Sequence, residues 1–341
     1  MSVSDIRLIE LEAWLASIFD NSVKVTLISG DASFRRYFRV THQGQHYIVA
    51  DSPVELVPIT PFITMAKAYE QADIFAPKVL AFEADKGFVL QTDLGDRQLL
   101  DALTEENVSD YYQTGLGLLP HIAKVTCTEQ GTLTAFDQSF VKRELHIFVE
   151  WLLEKHLSYQ LTDAENTMLD NVFNRLTDNA LFQPQVGMHR DFHSRNILLV
   201  DDQLAGKQLA VIDFQDAVIG PVTYDAVSLL RDCYVKWPTS IVTQLMKHHY
   251  QLCLQQGLIP SSTSFNDYQQ WFDFMGMQRH IKAAGIFARL YHRDDKAGYL
   301  KDIPLTLSYV VDIGSQYPEF RQFSQWVNDI VIPAVNAKNH R

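Results

Sequence analysis

Residues 186–200 read VGMHRDFHSRNILLV, two histidines, two arginines and an aspartate set between apolar runs. Asp191 and Asn196 stand five apart, and 17 residues beyond Asn196 the apolar run LAVI delivers Asp213 in the sequence DFQD. Asp191 suits a general base that orients an attacking hydroxyl and accepts its proton. Asn196 and Asp213 are hard oxygen donors of the kind Mg²⁺ prefers, and two of them leave coordination positions open for phosphate and water. These are the residue types that moving a phosphoryl group from a nucleotide to a hydroxyl requires. The apolar flanks would anchor the loop while its polar residues face a cleft. Two other readings stay open. One is a satisfied surface loop with Asp213 as a capping or salt-bridged carboxylate. The other is a zinc site on His189 and His193, four apart as on a helix, although the HExxH glutamate and a third-ligand motif are absent.

A second stretch, SGDASFRRYFRV (Ser29–Val40), lies between two strand-like runs, where a phosphate-covering hairpin belongs. Gly30 relaxes the backbone, and the amides of Asp31, Ala32, Ser33 and Phe34 are placed to approach phosphate oxygens as an anion-binding nest does. There is one glycine where GxGxxG has three, so an ordinary polar hairpin is the alternative. Arg35 and Arg36 either add phosphate contacts or are solvated. On the acceptor side, Asp216 would take hydrogen bonds from hydroxyls, or be a plain loop carboxylate, and His193 would line the same site or brace the loop. Arg279 and His280 share a helix pattern with Met275, Ile281 and Ile286. A cleft-facing Arg279 would hold a carboxylate in a bidentate pair, and an ordinary ion pair is its alternative. Tyr224, Trp151, Trp237 and Trp271 read as core or groove walls.

The elements that must position these residues divide the chain in two. Residues 3–19 carry apolar positions at helical spacing, and VKVTLIS, RRYFRVTHQGQHYIVADSP and APKVLAFEADKGFVLQTDLGD read as strands broken at turns. Pro58 and Pro61 introduce a helix at FITMAKAYEQADIF. From about residue 98 the pattern is helical, over 98–125, 139–157, 163–180, 223–236, 238–257 and 265–292, interrupted by the apolar strands ILLV and LAVIDF. A small β-rich lobe against a larger helical lobe leaves a cleft between them. With 341 residues, two lobes suit the usual limit on a single core. The 29 basic against 41 acidic residues give a net charge of −12, which disfavours nucleic acid and anionic membranes as partners. Cys127, Cys233 and Cys253 form no disulfide or metal pattern, and neither a signal peptide nor a membrane span is indicated, so a reducing cytoplasm fits.

The motifs carry a resemblance. His189 to Asn196 fits the HRDxxxxN pattern of protein kinases at its four fixed positions, and Asp213-Phe214 stands where kinases carry Asp-Phe-Gly. GDASFRRYFRV, MHRDFHSRNIL, VIDFQDAVIGPVTYDAVSLLRDCY and QRHIKAAGIFARLYHRDDKAGYL, spanning residues 30 to 300, resemble the aminoglycoside phosphotransferase and choline kinase branch of the protein-kinase-like superfamily. More narrowly, they are similar to bacterial cell-wall-recycling kinases that phosphorylate the anomeric hydroxyl of N-acetylmuramic acid and N-acetylglucosamine. The resemblance implies a bilobal α+β protein-kinase-like fold, with residues 1–93 as the N-lobe and 94–341 as the C-lobe. It also implies ATP and Mg²⁺, an amino-sugar substrate and no obligate protein partner. Asp191 would be the base, Asn196 and Asp213 the metal ligands, and Gly30–Phe34 the phosphate loop. Leu90–Asp93 would be a hinge whose backbone, at Gln91 and Asp93, meets adenine. Asp225 would brace the catalytic loop or cap a helix, and Arg279 would take a lactyl carboxylate.

One departure is plain. The third strand should carry a lysine for the α- and β-phosphates, but YIVADSP offers Ala50 or Asp51, and Glu70 falls late in its helix for the usual partner. Either a cation elsewhere, Arg36 or Arg39, neutralises the phosphates, or nucleotide binding is weakened, which leaves open a nucleotide-binding protein without turnover. A choline or aminoglycoside acceptor also stays open, since the net negative charge attracts cations.

Overall fold

The computed structural model describes residues 5–21, 23–28, 35–202 and 206–339. The phosphate hairpin expected at Gly30–Phe34 lies outside them. Helix α1 (Ile6–Phe19) starts on Asp5, whose carboxylate accepts the Leu8 amide. Strands β1 (Lys24–Leu27), β2 (Arg36–His42) and β3 (Gln45–Asp51) follow, then α2 (Thr60–Gln71), β4 (Val79–Glu83) and β5 (Phe88–Thr92). The sheet is antiparallel throughout, in the order β1-β2-β3-β5-β4. Gln43 and Gly44 join β2 to β3 with φ of 50° and 78°, the left-handed pair a two-residue hairpin turn requires.

The period of two along these strands assigns the faces. Phe38, Val40, Val49, Phe88 and Leu90 bury against Leu11 and Leu15 of α1 on the outer face. Ala50 and Val89 belong to the core on the opposite face, with Phe62, Met65 and Tyr69 of α2.

The second lobe comprises α3 (Val108–Lys124), the short pair β6 (Cys127–Thr128) and β7 (Gly131–Thr132), and α4 (Gln138–Ile147), which runs on as π-helical turns over Phe148–His156. Next come α5 (Asp163–Phe182), β8 (Gln185–Met188), β9 (Ile197–Asp202), β10 (Gly206–Val211) and β11 (Val218–Pro221). The lobe closes with α6 (Tyr224–Leu230), α7 (Thr239–Gln255), α8 (Phe265–Asp294), α9 (Ile303–Gly314), α10 (Arg321–Trp326) and α11 (Ile332–Asn339). β9 pairs with β10, and β8 with β11. α8 begins on a capping box, Ser264 with Asp267, and at 30 residues it spans about 45 Å through the middle of the lobe. Among the described residues no helix is long and apolar enough to cross a membrane.

Three expectations shift. The helix read over 223–236 stops at Leu230, because Arg231 adopts φ −121°, ψ 58° and Asp232 turns its carboxylate to other backbone amides. LAVIDF is a strand only to Val211, since Asp213 takes φ 66°. Helix α3 begins at Val108 after a 3₁₀ turn at Leu99–Ala102.

Candidate active site

β8 leads into the loop 189–196, and α6 and the turn that follows it each hold that loop at one point. Asp225 accepts the amides of His189 (2.7 Å) and Arg190 (3.0 Å), one on each carboxylate oxygen. Asp232, just past the end of α6, accepts the Ser194 amide (2.9 Å) and hydroxyl (2.5 Å). Asp225 is inside α6, which starts after Thr223, so it braces the loop rather than capping its own helix. Arg190 sits at φ 75°, a conformation that costs a non-glycine residue energy and persists because its surroundings impose it. Its guanidinium reaches Glu144 of α4 at 2.9 Å. His189 is fully buried, donates from Nε2 to the Ile212 carbonyl (3.0 Å) and accepts the Asp191 amide at Nδ1 (3.2 Å). Both nitrogens are taken by backbone, which removes the zinc reading, and burial holds the ring down to about 4.

Asp191, Asn196 and Asp213 meet in one cleft of about 860 Å³. Asn196 donates from Nδ2 to the Asp191 carbonyl (3.1 Å) and to Asp213 (3.2 Å), so its amide oxygen is the atom left for a ligand. Gln215 donates to the other Asp213 oxygen at 2.8 Å. Among the described residues no group of three or more His, Cys, Asp or Glu forms a metal cage. One carboxylate and one carboxamide side by side fit Mg²⁺, which keeps several waters and takes phosphate oxygens. Burial alone would raise the Asp191 carboxyl, but Lys282, Arg190, His193 and His189 outweigh it and hold the group down to about 2. Asp191 is therefore an anion at neutral pH.

On the nucleotide side, β3 ends at Asp51, which is fully buried and accepts from Arg7 (2.9 Å) and Arg36 (2.9 Å). Arg39 donates to Asp93 at 2.6 Å. Both arginines offered in place of the absent lysine are thus paired with carboxylates. Gln91 is paired on both sides, to Ile48 and Val79, and the Thr92 amide is held by Lys78. The chain leaves the ladder at Asp93, whose side chain also accepts the Gly95 amide at 2.9 Å. Of the expected hinge, Gln91 lies within the sheet and Asp93 at its exit.

On the acceptor side, His193, Asp216 and Arg279 all line the cleft. His193 packs edge-on to Tyr234, with ring centroids 5.4 Å apart, and its buried Nδ1 has no hydrogen-bond partner. Asp216 is exposed, and its backbone carbonyl accepts from Arg190 at 3.3 Å. Arg279 is only 5% exposed and donates to the Cys233 thiol at 3.2 Å. Among the described residues no ion pair engages it, so the ordinary ion-pair reading fails. His280 points away, with Nε2 on the Arg231 carbonyl at 2.8 Å. Trp237 donates to the Tyr112 hydroxyl (3.1 Å), a structural contact.

Residues 24–255 match the family described as phosphotransferase enzyme family. The chain belongs to that family. This phosphotransferase is 34% identical over 319 residues to the N-acetylmuramate/N-acetylglucosamine kinase of Neisseria meningitidis serogroup B, covering 92% of each chain. It is 36% identical over 297 residues to the enzyme of the same name from Pseudomonas aeruginosa, covering 87% of this chain and 86% of that one. Among solved structures it is similar to a choline kinase from Streptococcus pneumoniae, with a TM-score of 0.64 at 12% identity over 90% of this chain and 100% of that one. An aminoglycoside phosphotransferase in ternary complex with ADP and hygromycin B gives 0.58 at 15% identity, over 89% and 97%. The bilobal kinase-like fold expected from the sequence is shown by these likenesses and by the five-stranded sheet standing apart from a helical lobe.

The sequence reading of the phosphotransferase missed three groups that structure its site. Lys282 lines the cleft one turn beyond Arg279, 3.1 Å from Glu144 and 3.2 Å from the Tyr224 hydroxyl. Its spacing of three from Arg279 was the available signal. Glu144, buried on α4, joins Arg190, Lys282 and Gln278, the last at 3.1 Å. Asp232 lies past the end of α6, where the chain turns its carboxylate to the loop, a placement that no helical period signals.

Proposed function

We propose that this phosphotransferase is an ATP-dependent sugar kinase. It moves the γ-phosphoryl group to the anomeric hydroxyl of N-acetylmuramate or N-acetylglucosamine, the acceptors named for its relatives. The observation that carries the reading is the meeting of ionised Asp191 with Asn196 and Asp213 in one polar cleft. Asp191 orients the acceptor hydroxyl and takes its proton. Asn196 and Asp213 would hold Mg²⁺, which supplies charge neutralisation on the phosphates when bound. Phosphoryl transfer is catalysed chiefly by such positioning and electrostatics, so a fixed loop matters more than any covalent step. The bracing by Asp225 and Asp232 provides that fixity.

The walls of the cleft favour an acidic or neutral acceptor over a cationic one. Arg190, Arg195, Arg279, Lys282 and Arg289 line the cleft with Asp191, Asp213 and Asp216, and buried Glu144 pairs with Arg190 and Lys282, which leaves one basic group in excess in a chain of net charge −12. Such an excess repels choline and aminoglycosides locally, whatever the global charge. Arg279, buried and outside any ion pair among the described residues, is placed to take the lactyl carboxylate of N-acetylmuramate. His193 and Asp216 complete the acceptor side.

Coupled ADP release measured with a panel of amino sugars, choline and aminoglycosides tests the reading. Turnover is expected only with N-acetylated amino sugars, and Asp191→Asn should lower kcat by roughly 10²–10⁴-fold while nucleotide affinity stays near that of the wild type. Turnover with choline alone, or an unimpaired Asp191→Asn enzyme, would sink it.

A further inference from the structure

Four of the five lysine and arginine side chains on the cleft are engaged by their neighbours. Arg190 and Lys282 pair with Glu144, Arg279 donates to the Cys233 thiol, and Arg195 lies 4.0 Å from the centre of the Tyr234 ring. Arg289 is the fifth. It lines the cleft half-buried, and among the described residues no hydrogen bond, ion pair or ring contact engages it. Its Nε is sealed from solvent without a partner, which leaves the two terminal nitrogens as the edge that meets the cleft. The charges around it are engaged with one another. Arg293 pairs with Asp294 at 2.9 Å, Glu150 lies 4.0 Å from Lys155, and Glu144 holds Arg190 and Lys282. Burial, followed by repulsion from Arg293, pulls the Arg289 guanidinium below its ordinary value. A partly buried cation without a counter-charge is costly to keep, and an anion from outside the chain relieves that cost.

The place of Arg289 on α8 indicates which anion. The helix presents Arg279 and Lys282 to the cleft, then the apolar side chains of Ala283, Ile286 and Phe287, and then Arg289. Arg279 and Arg289 are ten residues apart, about 15 Å along the axis at 1.5 Å per residue. A sugar whose anomeric hydroxyl meets Asp191 and whose lactyl carboxyl meets Arg279 stops short of Arg289. A peptide continuing from that carboxyl gains at most about 3.3–3.6 Å per residue, so two residues add about 7 Å and the two arginine side chains span the rest. The first of those residues passes the apolar stretch, and the second brings its carboxylate to Arg289.

We infer that Arg289 is an anion subsite for an extended acceptor, an N-acetylmuramate whose lactyl carboxyl is amide-linked to a small apolar residue followed by an acidic one. The inference rests on the sugar-kinase reading and on Arg279 meeting the lactyl group. In the extended acceptor that group is an amide, whose carbonyl oxygen accepts from Arg279. The negative charge moves out to the Arg289 fork, which takes a carboxylate through two parallel hydrogen bonds. The anomeric hydroxyl stays at Asp191, so the peptidyl sugar is phosphorylated at the same atom as the bare one.

Calorimetry on the full chain, with a non-hydrolysable ATP analogue and Mg²⁺ present, compares two synthetic acceptors. One is N-acetylmuramyl-alanyl-glutamate, and the other is its uncharged counterpart with both glutamyl carboxyls converted to carboxamides. The wild type should bind the acid about tenfold more tightly than the diamide. Arg289→Gln, which keeps hydrogen-bond donors and removes the charge, should bring that ratio to within about twofold of unity, and Arg289→Lys should retain most of it. A wild-type ratio near one overturns the assignment without any variant, so the question stays answerable if Arg289→Gln fails to fold. A ratio that survives in Arg289→Gln overturns it too, because the anion then sits on another cation of the cleft. ADP release with both acceptors and with N-acetylmuramate separates the two readings. Binding of the acid through Arg289 with no turnover of any sugar sinks the sugar-kinase reading alone. Turnover of N-acetylmuramate without binding of the peptidyl acid sinks the extended acceptor alone.

Discussion

Burial would raise the Asp191 carboxyl, and it stays charged because cations oppose that, chiefly Lys282 brought from α8 and its own neighbour Arg190. Lys282→Met removes the strongest of these cations, while Glu144 keeps Arg190 as its partner. Losing a nearby cation raises a carboxyl pKa, so the acid limb of the kcat/KM profile should move to higher pH by about 1 unit. A pH–rate profile of that variant with its sugar acceptor checks the shift, and an unmoved limb would mean Lys282 does not act on Asp191. The residue types at 189–196 and 213 were legible because their chemistry demands those side chains at fixed spacing. Lys282 was not, because nothing local to α8 shows that its ammonium ends beside Glu144, 138 positions away in sequence.

At the scale of elements, α8 delivers Arg279 and Lys282, and its depth is set by one close crossing. A Cβ at Gly285 would stand 2.6 Å from the backbone of Ile147 and Phe148, where α4 passes into its π-helical turns. Backbone against backbone cannot yield as a side chain can. Gly285→Ala gains up to about 1 kcal/mol of helix propensity, yet it should lower stability by about 1–3 kcal/mol through overpacking. It should also raise KM for the sugar, because the helix that carries Arg279 is pushed outward. Urea unfolding and steady-state kinetics check both. The period of 3.6 placed α8 within two residues of its observed end, whereas α9, α10 and α11 escaped the reading. The apolar faces of these helices are short, and α10 merges with a π-helical segment at Val327–Val331 that breaks the period.

The whole molecule should lose stability in mild acid. His189 and His249 are buried, with burial holding them down to about 4 and about 3, against an ordinary value near 6.5. Between pH 6.5 and about 4 the unfolded chain binds protons at both and the folded chain does not, so stability falls as pH falls. Asp225 acts in the opposite sense, because burial pushes its carboxyl up to about 7 and the folded chain keeps a proton that the unfolded chain releases above 3.8. His280, buried and held down to about 3 as well, acts with them, so three histidines outweigh the one aspartate for a net slope of about 2.7 kcal/mol per pH unit. Below pH 4 the loss steepens, since Asp191 and Glu165, both held to about 2, resist protons that the unfolded chain accepts. Denaturation midpoints between pH 4 and 7 check the slope, and a flat profile would contradict it. By itself the sequence determined which residue types stand at 189–196 and at 213, the order of strands before helices, and the absence of a lysine on the third strand, because these depend on residue type and local period. Only the tertiary structure decided which arginine faces which acid. Arg36 meets Asp51, Arg39 meets Asp93 and Arg35 meets Ser52 and Tyr37, because a side chain's partner depends on which strand or helix is packed against it. That packing is fixed by burial of the core across the chain rather than by spacing along it.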